Sequence, residues 1–130
     1  MEDPMTGKQP FTWRQQLGMH YENAALRYLQ ARGFAMVCSN YRCKFGEIDL
    51  VMLDAATLVF VEVRYRRSSS HGTAAATVDG RKQARIRLAA RKFLFSNPQF
   101  RQHICRFDVL AIEAPTTGKP AINWIPNAFY

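Results

Sequence analysis

Two apolar runs of strand length, Gly46 to Leu53 and Leu58 to Arg66, are separated by only four residues, Asp54-Ala55-Ala56-Thr57. No other feature of the chain constrains its fold as strongly. A connection this short joins antiparallel strands as a hairpin. If Leu53 pairs with Leu58, each step back along the first strand matches a step forward along the second. Asp49 then falls opposite Glu62, and Glu47 opposite Arg64. A two-residue turn at Ala55-Ala56 gives the same register as a four-residue loop, whereas an odd-length loop would send the carboxylates to opposite faces. Because side chains alternate along a strand, Glu47 and Asp49 are expected on one face with Ile48 and Leu50 on the other. By the same rule Glu62 and Arg64 share a face with Phe60.

Carboxylates in the middle of apolar strands are costly to bury. Two of them directly opposite, with Cβ atoms about 4.5–5.5 Å apart, repel each other. They can instead supply oxygen ligands to a hard divalent cation, and magnesium commonly takes one or two protein carboxylates beside water and substrate phosphate. Arg64, on the same face as Glu62, would stabilise charge on a phosphate bound there. The same residues also suit an ordinary strand pair, with Glu47 and Arg64 as a surface ion pair, since structural networks gather charges too.

Gly46-Glu47-Ile48-Asp49-Leu50 followed by Val59-Phe60-Val61-Glu62-Val63-Arg64 resembles the signature of the YraN family of predicted endonucleases. Those bacterial proteins are related to archaeal Holliday-junction resolvases and to the restriction-endonuclease-like superfamily. The resemblance continues through Tyr21-Glu22-Asn23-Ala24-Ala25, the basic segment beginning at Lys82, Cys105-Arg106-Phe107-Asp108-Val109, and the Trp124-Ile125 and Asn127-Ala128-Phe129 segments. It implies a single-domain restriction-endonuclease-like α/β fold, a mixed β-sheet flanked by helices. It also implies metal ligation by Asp49 and Glu62, with Glu22 on the first helix as the acid that resolvases add. The superfamily's catalytic lysine falls at Arg64. Arginine stays charged at any working pH, so Arg64 suits phosphate neutralisation and is a poor base. The activity implied is Mg²⁺- or Mn²⁺-dependent hydrolysis of DNA phosphodiesters, with branched DNA and a homodimer borrowed from the resolvase kinship. The alternative is a non-catalytic nucleic-acid-binding module that keeps the nuclease fold.

Charge agrees with a polyanionic partner. Lys and Arg outnumber Asp and Glu by 18 to 10 in 130 residues, giving a formal charge of +8. Several of the acids belong to the candidate site, so the remaining surface is more basic still, which favours phosphate contacts and counterion release. Arg66, Arg67, Lys82 and Arg85 are the candidate backbone contacts. The aromatic residues show no spaced pattern of a single-strand stacking platform. Cys38, Cys43 and Cys105 form an odd set that suits free thiols in a reducing cytoplasm. With His103 they lack the second close pair of common zinc modules. Met1 to Pro10 has no apolar core of signal-peptide length, and no run is long enough to span a membrane. A cytoplasmic protein is expected.

The remaining elements follow from periodicity. Residues 1–12 read as a mobile leader to a domain over 13–130. A helix is predicted from Thr12, its N-cap, to Arg32, stopped by Gly33, with Leu17, Tyr21, Ala24, Ala25, Tyr28 and Leu29 as its apolar stripe. Glu22 lies at the edge of that stripe, able to reach inward or remain solvated. Phe34 to Ser39 reads as a first strand, and Arg66 to Gly72 as a polar loop beside the site containing His71. A second helix spans Asp79 to Ser96, with Ile86, Ala89, Ala90, Phe93 and Leu94 inward and Arg81, Lys82, Arg85, Arg87, Arg91 and Lys92 outward, as a solvated face or a phosphate-tracking one. Ile104 to Glu113 and Ala121 to Ile125 complete the strands, with Arg106 and Asp108 on one face and Asp108 as a structural or rim acid.

Overall fold

The computed structural model describes residues 12–67, 78–114 and 118–130. Helix α1, Trp13–Gln30, starts on a reciprocal capping box: Gln15 N–H donates to Thr12 Oγ1 at 3.1 Å, and Thr12 N–H to Gln15 Oε1 at 2.8 Å. Tyr21, Ala25 and Leu29, one turn apart, are its buried stripe. It ends where Gly33 takes a left-handed φ of 93° and Phe34 N–H donates back to the Leu29 carbonyl at 3.1 Å. Such a reversal favours a residue without Cβ.

Strands β1 (Ala35–Cys43), β2 (Gly46–Asp54) and β3 (Thr57–Arg67) form an antiparallel meander. Helix α2 (Gly80–Ser96) then crosses over to β4 (Ile104–Ala114), which pairs parallel to β3, and β5 (Ala121–Phe129) pairs antiparallel to β4. A single 3₁₀ turn, Pro98–Phe100, links α2 to β4. The strand order is β1-β2-β3-β4-β5. One side of the sheet packs on α1 through Leu50, Met52, Val59, Val61, Leu110 and Ile112. The other packs on Ile86, Ala89, Ala90 and Phe93 of α2 through Ile48, Val51, Leu58, Phe60 and Val109. Covered on both sides, the central strands carry near-continuous apolar sequence. This is the expected single-domain α/β arrangement of a mixed sheet flanked by helices.

The hairpin register is the expected one, with Leu53 opposite Leu58 and a two-residue turn at Ala55-Ala56. Alternation along β2 nevertheless fails at one point. Ile48 packs on the α2 side and Leu50 on the α1 side, so the two do not share a face as expected. β1 breaks at the matching place: Cys38 and Tyr41 both pack on the α2 side, three residues apart, and Asn40 between them has φ 53°. Asn40 and Asp49 fall between the paired rows Ser39–Leu50 and Tyr41–Ile48. The two-strand ribbon therefore kinks at Asn40 and Asp49, and the β2–β3 ladder stops at Leu50–Val61.

Three boundaries differ from expectation. β1 continues through Asn40-Tyr41-Arg42-Cys43, because these residues pair as an outer strand that tolerates polar side chains facing water. β3 runs through Arg67, so Arg66 and Arg67 belong to the sheet and not to the following loop. β5 continues past Ile125 across Pro126 to Phe129, a proline position that an edge strand accepts. Residues 1–11 of the predicted 1–12 leader, and the loop segment with His71, lie outside the described residues. Among the described residues no helix is long and apolar enough to cross a membrane.

Candidate active site

Beyond Leu50–Val61 the two strands part, and the gap opens a cleft of about 300 Å³. Its walls include Leu17, Tyr21 and Glu22 from α1, Glu47 and Asp49 from β2, Glu62 and Arg64 from β3, and Lys82 from α2. All four residues expected to carry the chemistry, Glu22, Asp49, Glu62 and Arg64, thus face one space. Tyr65 stacks on Tyr21 at 4.0 Å between ring centroids and closes the α1 side. Burial, with a hydrogen bond to Tyr65, pushes the Tyr21 hydroxyl up to about 12.

The ladder break fixes Asp49. Val63 N–H donates to Asp49 Oδ2 at 2.8 Å, so the carboxylate satisfies a main-chain donor where strand pairing has ended. Burial pushes the Asp49 carboxyl up to about 8, reinforced by the nearby Glu62 charge and partly offset by the Val63 hydrogen bond. Glu22 adds to the rise, and Asp49 donates its carboxyl hydrogen to Glu62. Asp49 thus keeps its proton at neutral pH, as a carboxyl held out of water beside a second acid does.

Glu62 is only 4% exposed. Its Oε2 receives Arg64 Nη1 at 3.3 Å and Lys82 Nζ at 3.4 Å. Glu22 is raised chiefly by burial, while a hydrogen bond from Asn40 holds its charged form against Glu47 and Glu62. The kink residue on β1 thereby ties the α1 acid to the acid pair. Glu47 does not pair with Arg64. Arg42 Nε lies 3.1 Å from Glu47 Oε2, because these two are cross-strand partners on β1 and β2 and both remain exposed.

Among the described residues no group of three His, Cys, Asp or Glu side chains is already gathered as a metal site. The donor chemistry still fits a hard cation: two carboxyls in mutual contact, a third on the same wall, and oxygen atoms throughout. The proton that Asp49 retains is what a divalent cation at that point would displace.

The cations of α2 have different surroundings. Lys82 points into the cleft, a placement its sequence position did not reveal. Arg87 Nη1 donates to the main-chain oxygen of Tyr130 at 2.8 Å, and Lys92 lies over the Phe95 ring at 5.3 Å. Arg85 is exposed beside the β1–β2 turn, its Cβ 3.6 Å from where a side chain on Gly46 would begin. Arg66, half-buried on β3, is not among the residues lining the cleft, and the Arg67 side chain lies outside the described residues.

The fold and the cleft define a single-domain mixed α/β protein with an acidic pair and two cations at a splayed strand end. The chain belongs to the family described as "Uncharacterised protein family UPF0102", whose model matches residues 21–112. It is 49% identical over 120 residues to a UPF0102 protein of Pseudomonas savastanoi pv. phaseolicola, covering 92% of this chain and 98% of that one. A UPF0102 protein of Pseudomonas fluorescens is 47% identical over 115 residues, 88% and 94% of the two chains. The matched segment includes Glu22, Asp49, Glu62, Arg64 and Lys82.

Proposed function

We propose that this protein is a divalent-cation-dependent nuclease that hydrolyses phosphodiester bonds in DNA. The observation that carries this reading is the convergence of the Asp49 and Glu62 carboxyls on one open cleft beside Arg64 and Lys82. Burying acids together serves no packing purpose that apolar residues would not serve better. The resemblance of the Gly46–Leu50 and Val59–Arg64 segments to the YraN endonucleases points the same way.

Asp49 and Glu62 would hold Mg²⁺ or Mn²⁺, with Glu22 supporting from α1. The bound cation supplies a water of lowered pKa and neutralises phosphoryl oxygen. Arg64 stabilises the negative charge that builds on the phosphate as the water oxygen bonds to phosphorus and the ester P–O bond breaks. The net +8 charge draws the polyanion towards the cleft. Junction-shaped DNA and a homodimer remain the substrate form and assembly to test first.

The test is cleavage of labelled four-way junctions, flaps, duplexes and single strands with Mg²⁺ or Mn²⁺, beside Asp49→Ala and Glu62→Ala. Cutting that needs the metal and is lost in both variants supports the nuclease. Metal-independent binding without cutting by any variant favours the non-catalytic nucleic-acid-binding module.

A further inference from the structure

Glu62 holds one negative charge at most, yet two cations converge on its Oε2, one from its own strand and one from another element. Arg64 alone would balance it. The second cation is brought from α2, whose first turn is fixed by Asp79: the N-cap carboxylate accepts the amide N–H of Lys82 itself at 2.9 Å. A residue anchored this way has its stem direction set by the helix. About a third of the Lys82 side chain stays exposed, on the cleft that Asp49 and Arg64 also line. The two cations differ in kind. A guanidinium is planar and suited to forked contacts, whereas an ammonium is a compact charge with three rotatable donors. Lys82 can therefore exchange a carboxylate oxygen for a phosphate oxygen with a small rotation of its terminal torsions, keeping its charge throughout.

We propose that Lys82 is a phosphate-contacting residue of this site, its ammonium passing from Glu62 Oε2 to an oxygen of the bound phosphodiester. This rests on the nuclease reading for its catalytic consequence, but not for the contact. The site then draws its lysine from the helix that follows β3, and its arginine from β3 itself.

The experiment follows the amine directly. Reductive ¹³C-dimethylation labels the lysines, Lys82→Arg identifies the Lys82 signal, and the spectrum is recorded with Ca²⁺ and a four-way DNA junction. Cleavage by Lys82→Met and Lys82→Arg is measured in parallel over a Mg²⁺ titration. The expected result is a shift of the Lys82 signal on adding DNA. At saturating Mg²⁺ we expect a loss of about 100-fold in rate for Lys82→Met, of which Lys82→Arg restores only a small part. A counter-ion role alone would move the Mg²⁺ concentration needed and leave the saturated rate unchanged, overturning the proposal. An unmoved Lys82 signal with normal cleavage by Lys82→Met would also overturn it while leaving the nuclease intact. A shifted Lys82 signal without cleavage by wild type would sink the nuclease reading and keep the phosphate contact. Neither shift nor cleavage would remove both.

Discussion

Asp49 on β2 and Asp108 on β4 lie on either side of β3, and each sits where a ladder breaks. Each carboxylate takes a main-chain N–H left over by the break, Val63 at 2.8 Å and Asn127 at 2.9 Å. Their surroundings otherwise differ completely. Asp108, fully buried, also accepts from Trp124 Nε1 at 2.9 Å and from Arg106 Nε at 3.0 Å, and Arg106 reaches on to Asp54 at 3.2 Å. Its acceptor sites are filled by the protein. Asp49 has two acids as neighbours and an open cleft before it. The same local device thus makes a fastening in one strand and an exposed demand for positive charge in the other. A buried acid points to function only when the protein leaves its needs unmet.

The contrast can be broken most severely at Asp108. Asp108→Ala strands Arg106 and the Trp124 and Asn127 donors, and should cost about 3–5 kcal/mol, read as a lower urea midpoint. Asp49→Asn should do the reverse. Its amide oxygen still accepts from Val63, so denaturant unfolding should stay within about 1 kcal/mol of wild type. Metal-dependent cleavage should fall by about 100-fold or more. A large stability loss in Asp49→Asn would make the two acids alike and remove the argument from unmet need.

The pH response sharpens the comparison further. Asp49 keeps its proton in the folded state up to about 8, against an ordinary value of 3.8. Between those values the folded protein binds a proton that the unfolded chain has released, so stability falls as pH rises through the window. Melting temperature should therefore decline from pH 5 to pH 9 in wild type, and decline less in Asp49→Asn. Equal slopes would assign the effect to other groups. Added Mn²⁺ should raise the melting temperature more at pH 8 than at pH 6, since it competes with that proton. Trp124→Phe is the mildest change. It removes one donor to Asp108 and should cost about 1 kcal/mol with cleavage unaltered.

Much of this geometry was legible before any coordinates. Even loop length and apolar alternation set the β2–β3 register, and Thr12 and Gly33 mark the ends of α1 through capping chemistry. Arg106 and Asp108 share a face as alternation requires, and they pair directly. The kink was not legible, because a left-handed Asn40 within a pairing strand leaves no periodic signal. Extending the Leu53–Leu58 register puts Glu47 opposite Arg64, but the ladder stops at Leu50–Val61 and Arg42 on β1 is the partner of Glu47. Lys82 is legible as a candidate backbone contact, alongside Arg85, but not as a side chain of the acidic cleft. The signal that could have singled it out was topological. A helix crossing between parallel strands starts beside the carboxyl end of the first strand, where such sheets bind ligands.

Breaks of pairing also govern the outer boundary of the sheet. β1 carries a bulge at Val37 and the left-handed Asn40, while β5 carries Pro126, which has no N–H, and three residues facing the single Asp108. Each margin is interrupted along its length, which shortens the row of main-chain donors and acceptors open to strand addition by a second copy. Irregular edges of this kind keep a sheet from extending itself across molecules.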